Sequence, residues 1–102
     1  MNAAELVQQM KEYTDRACTA SGKLAEARWD YERTKHTIRK RFNDEKAGGM
    51  KITEEAIRSE SEVAAASLNQ AVEHWQSELE QAKLNIDWCK CALQVIQMGE
   101  NK

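Results

Sequence analysis

Gly48 and Gly49 form the only glycine pair in a chain of 102 residues that contains no proline. They separate two long stretches whose apolar residues recur at helical spacing, so the chain has one obvious place to reverse. Either glycine can take the left-handed conformation that ends a helix at no Cβ cost. Arg39, Lys40, Arg41 and Lys46 precede the pair, where cations suit the negative end of a helix dipole. Beyond it, Thr53 is a good N-cap, Glu54 and Glu55 suit the positive end of the next helix, and Ile52 and Ile57 have the spacing of a hydrophobic staple. A helix ending near Asp44 to Ala47 and another beginning at Thr53 follow.

The first stretch carries a seam at alternating steps of four and three: Leu6, Met10, Tyr13, Ala17, Ala20, Leu24, Ala27, Tyr31, Thr34, Ile38. That is a coiled-coil pattern, although its alanines bury little area. Gly22 weakens the helix by ~1 kcal/mol relative to Ala without breaking it. The second seam reads Ile57, Ser61, Ala64, Leu68, Ala71, Trp75, Leu79, Ala82, Ile86, Cys89, Leu93, Ile96, with two successive fours at Ala71-Trp75-Leu79. Such a stutter locally unwinds a supercoil. The expected fold is all-α: an antiparallel, coiled-coil-like two-helix hairpin forming a single domain over 1–102. Helix one spans about 3–46, the turn 47–52, and helix two about 53–98.

Helix two has more apolar surface than one neighbour can cover. Leu84, Trp88, Cys91 and Val95 form a second row near its end, which an antiparallel hairpin places beside Leu6, Val7 and Met10. A two-helix hairpin is also small for a self-sufficient core. Leu6, Val7, Met10, Leu84, Trp88, Cys91 and Val95 are therefore the expected self-association surface. A homo-oligomer follows, a dimer first, with four helices packed together.

Charged residues make up 31% of the chain at a net charge of −2. Much of that charge falls at helical spacing, which favours long helices over disorder. No apolar run is long enough to span a bilayer and no leader-like segment opens the chain, so a cytoplasmic location without membrane contact is expected. Residues 1–47 hold ten Lys/Arg against eight Asp/Glu, and residues 48–102 hold five against nine. The two helices thus have opposite balances, and neither has the strong basic field of a generic nucleic-acid binder.

The most distinctive surface precedes the turn. Trp29, Arg33, His36 and Lys40 are spaced at helical intervals opposite the seam, with Lys35 and Arg39 beside them. An aromatic ring among cations can dock an acidic protein surface. It can also stack a base while the cations hold phosphates, or simply rest on arginine stems in a solvated face. Cys89 and Cys91 point about 200° apart on a helix, so they cannot share a metal ion and read as buried apolar thiols. His36 and His74 belong to no metal-binding spacing; His74 reads as a boundary residue beside Trp75. No phosphate loop, nucleophile elbow or acid pair is present, so no catalytic, metal or cofactor residues are assigned and no enzyme is expected.

Tyr31-Glu32-Arg33-Thr34-Lys35 and Gly49-Met50-Lys51-Ile52-Thr53-Glu54-Glu55-Ala56-Ile57 resemble segments of small phage-encoded helical-hairpin proteins, as do Ser61-Glu62-Val63, Ala71 and Cys91-Ala92-Leu93. The resemblance covers most of the chain and departs at Trp88-Cys89-Lys90-Cys91, where such proteins carry aromatic and Arg residues. It implies a gene from a phage recombination or replication region, with no assigned activity. The expected function is a non-enzymatic interaction protein acting in the host cytoplasm on a nucleic-acid-processing or defence complex, of the anti-CRISPR or nuclease-inhibitor type. Two alternatives stand beside it: a DNA-binding accessory of phage recombination or strand annealing, and a purely structural oligomerisation module.

Overall fold

The computed structural model describes residues 1–100, and every regular element among them is an α-helix: α1 (Ala3–Ala47), α2 (Glu54–Ala64) and α3 (Ala66–Glu100). The chain is all-α, as its periodicity implies. Asn2 caps α1, its Oδ1 accepting the Glu5 amide at 2.8 Å and so satisfying one of the donors that every helix start leaves open. Gly22 does not interrupt α1.

α1 ends in a Schellman motif. The Met50 amide donates to the Glu45 carbonyl and the Gly49 amide to the Lys46 carbonyl, each at 3.2 Å, the paired bonds of that cap. Of the two glycines, Gly49 takes the left-handed backbone, with φ +103°. Thr53 then caps α2 with extended backbone, its Oγ1 accepting the Ala56 amide at 3.1 Å. Ile52 is half-buried one residue before the cap and Ile57 is fully buried four residues after it, the two positions of a hydrophobic staple.

The chain divides into two compact units. One comprises residues 24–73, which include the turn, α2 and the start of α3. Its core is Leu24, Ala27, Ile57, Ser61 and Ala65, flanked by half-buried Tyr31, Thr34 and Ile38. The other comprises 1–23 together with the chain from His74 onward. Its core is Leu6, Ala20, Ala82 and Cys89, with Met10, Tyr13, Trp75, Leu79, Ile86, Leu93 and Ile96 half-buried around it. The strands of helix in this unit run antiparallel: Ala20 shares one hollow with Trp75, and Tyr13 shares the next with Ala82.

The second half of the chain corrects the expectation of one helix over 53–98. A turn at Ala65 separates α2 from α3. Ala64, assigned to the seam, is exposed, and Ala65 is fully buried in its place. From Ala65 the inward residues Leu68, Val72, Trp75, Leu79, Ala82, Ile86, Cys89, Leu93 and Ile96 alternate steps of three and four. The two successive fours therefore fall at Ile57-Ser61-Ala65, and the stutter lies there rather than at Trp75. The backbone absorbs it locally. Ala65 sits at φ −95°, ψ 2°, in the sparsely populated bridge region, and its amide still reaches the Ser61 carbonyl at 3.1 Å. Among the described residues Ser61 is the one buried polar side chain; its hydroxyl donates to the Ile57 carbonyl at 2.7 Å. A hydroxyl bonded back onto the preceding turn is a known source of helix bending.

Candidate interaction surface

The small residues of the seam leave room between α1 and α2. Glu32, Lys35, His36 and Arg39 of α1 face Arg58, Ser61 and Glu62 of α2 across a cleft of about 330 Å³. Antiparallel pairing sets this register, which is why Arg58 joins the cations of α1. Its contribution is missing from a reading of helix one alone. The cleft is mixed in sign, since Glu32 and Glu62 stand among Lys35, Arg39 and Arg58. Arg39 is further engaged by an ion pair with Glu54 at the start of α2. The hydrogen bond from Arg39 holds the Glu54 carboxyl below its usual range, helped by the Arg39 charge and, less, by Lys46 and Arg58.

A second hollow, of about 250 Å³, is lined by Trp29, Glu32, Arg33 and His36, all from one face of α1. Trp29 is 67% exposed, a large ring held in water by its helix position. Arg33 pairs with Asp30 at 3.6 Å, and the Lys35 ammonium lies 4.8 Å from the centre of the Tyr31 ring, a cation–π distance. Five of the six residues singled out before the turn therefore fall into two overlapping groups. Trp29, Arg33 and His36 share the outer hollow; Lys35, His36 and Arg39 share the cleft with Arg58; exposed Lys40 lines neither. His36 belongs to both.

The expected self-association surface is also divided. Leu6 is 1% exposed and Met10 half-buried, so Leu6 is spent within the fold and is corrected from that surface. Leu84, Trp88, Cys91 and Val95 do stand exposed on α3, as does Val7 on α1, and Met98 extends the α3 row. The two thiols expected to be buried part company: Cys89 is fully buried and Cys91 exposed, with Cys18 exposed as well. His74 is exposed and meets Trp75 edge to face, with ring centres 4.8 Å apart.

Among the described residues, no three His, Cys, Asp or Glu side chains stand together in a way that would hold a metal ion, and no helix is long and apolar enough to cross a membrane. No family model, curated protein or solved structure matches the chain.

Proposed function

We propose that this chain is a non-enzymatic interaction protein of a phage or mobile element, which docks on a nucleic-acid-processing or defence complex in the host cytoplasm. The observation that carries the reading is Trp29, 67% exposed beside Arg33 and His36 at the rim of an apolar hollow. Aromatic and arginine side chains of this kind supply most of the energy at protein interfaces. The ion pairs of Arg33 with Asp30 and of Arg39 with Glu54 already engage cations that a phosphate backbone would need. Glu32 and Glu62 dilute the cleft further. That weighting puts protein docking ahead of direct DNA binding. Self-association into a four-helix arrangement through the exposed α3 row belongs to the same reading.

Affinity purification of tagged protein from its host tests it. The wild type should retain a stoichiometric protein partner that Trp29→Ala and Arg33→Ala lose. Recovery of the chain alone, with tight and steeply salt-dependent binding to labelled DNA, would overturn the docking reading in favour of a recombination accessory.

A further inference from the structure

The end of α3 is apolar on two opposite faces. Its inward residues are Ala82, Ile86, Cys89, Leu93 and Ile96; two positions after each come Leu84, Trp88, Cys91, Val95 and Met98. Two residues turn a helix by about 200°, so the second set is a row on the far side. Four of its members are strongly exposed: Leu84 at 63%, Trp88 at 58%, Val95 and Met98 at 68%. The row keeps steps of four and three throughout, the signature of a helix seam that expects another helix. A helix with one seam inward and one outward belongs between two neighbours. This unit provides one.

We infer that the second neighbour is α3 of another copy of this chain, running antiparallel, with Trp88 seated over Cys91 of the second copy and Leu84 over its Val95. The inference rests on the self-association part of the reading above. Area supports it. At ~150–250 Å² for a large aromatic ring and less for the aliphatic members, the row offers on the order of 400–500 Å² per copy. Two rows then bury about 800–1,000 Å² before flanking residues are added, and the flanking residues carry the total past the ~1,000 Å² that a specific interface must clear. Charge supports a self-partner too. The exposed residues flanking the row are Lys83, Asp87, Lys90, Gln94, Gln97 and Gly99, nearly neutral in sum, so two like faces meet without a block of like charge. Direction follows from size. A parallel, in-register pair would set the Trp88 rings against each other in one layer and leave two small thiols facing in the next. Antiparallel pairing alternates large against small, the rule for a well-filled core. It also opposes the two helix dipoles.

Sedimentation equilibrium on the full chain, with circular dichroism as a check that helicity is kept, provides the first test. The wild type should be dimeric at micromolar concentration, and Trp88→Asp or Val95→Asp should shift it to monomer with unchanged helix content. The direction is tested by Leu84→Cys/Val95→Cys in a chain also carrying Cys18→Ser and Cys91→Ala. Mild oxidation should yield a dimer whose peptide map joins position 84 to position 95 of the other copy. Linkage of 84 to 84 and 95 to 95 would overturn the antiparallel arrangement. A wild-type monomer, or a dimer indifferent to both aspartates, would overturn the interface altogether. Either failure leaves partner capture by Trp29 untouched, so the two readings fail separately.

Discussion

The Arg39 guanidinium and the Glu54 carboxylate form an ion pair across the turn, joining the last part of α1 to the first residue of α2. It ties the two sides of the reversal by side chains, and it works with the α2 dipole because a carboxylate at a helix start is favourable there. Glu54 is held below its ordinary range chiefly by the hydrogen bond from Arg39. A depressed carboxylate adds stability above its unfolded-state value and loses it as pH falls through the folded one. The pair is largely exposed to solvent, so the effect on overall stability is small. The carbon-13 shift of the Glu54 carboxyl, followed through acid titration, should give a midpoint below the ordinary glutamate range. Arg39→Ala should raise that midpoint toward the ordinary value; a Glu54 midpoint unmoved by the substitution would dismiss the pair.

The Schellman cap assigns different duties to the two glycines. Gly49 has φ +103°, whereas Gly48 has ordinary backbone, and a Cβ on it would meet the Glu45 carbonyl at 3.4 Å, an ordinary contact. An alanine at 49 is forced into a left-handed backbone, which costs about 1–2 kcal/mol. Gly48→Ala removes only freedom from the unfolded chain and should be neutral or gain up to ~1 kcal/mol. Urea unfolding of both variants should separate them clearly. Equal losses would mean that both glycines are strained.

Ile57 and Val63 test how the core of residues 24–73 is distributed along α2. Ile57 is 0% exposed and Val63 is 72% exposed, although both are aliphatic and only six residues apart. Ile57→Ala should cost about 2–5 kcal/mol through lost burial and a cavity. Val63→Ala should stay within ~0.5 kcal/mol of the wild type. Thermal melts read both.

These contrasts show what could be read from the sequence. Every member of the first seam, from Leu6 to Ile38, is buried or half-buried, because one unbroken helix keeps one phase. The caps at Ala47 and Thr53 were equally legible, since each rests on local chemistry. Asn2 could have been found by the same logic, for Asn2-x-x-Glu5 has capping-box spacing. The second seam was harder. Val63-Ala64-Ala65-Ala66 presents four small apolar residues in succession, so the phase can slip by one position with no change of composition. Packing against α1 decided for Ala65, and only the folded unit carries that information. Arg58 is not legible in the sequence for a related reason, because its place in the cleft depends on the helix packed against it and not on its neighbours in sequence. Cys91 stands exposed although its residue type favours the interior, and its spacing puts it opposite Cys89.

Ala65 is where that slip can be tested. Its side chain is fully buried, and its backbone closes α2 at φ −95°, ψ 2°, so position 65 has no space for a larger group while position 64 faces water. Ala65→Leu should overpack the unit and cost about 1–3 kcal/mol, whereas Ala64→Leu should be close to neutral. Ser61 adds a second reading of the same point. Its hydroxyl back-bonds to the Ile57 carbonyl, a contact that competes with regular helix, and alanine is the better helix former by up to ~0.7 kcal/mol. Ser61→Ala leaves no buried polar atom unpaired, so it should change stability by less than ~1 kcal/mol. Amide exchange around Ala65 should slow in that variant if the hydroxyl helps to bend the chain, and stay fast if the phase shift alone opens the turn. A reversed order, with Ala64→Leu the costly change, would return the seam to Ala64 and restore a stutter at Trp75.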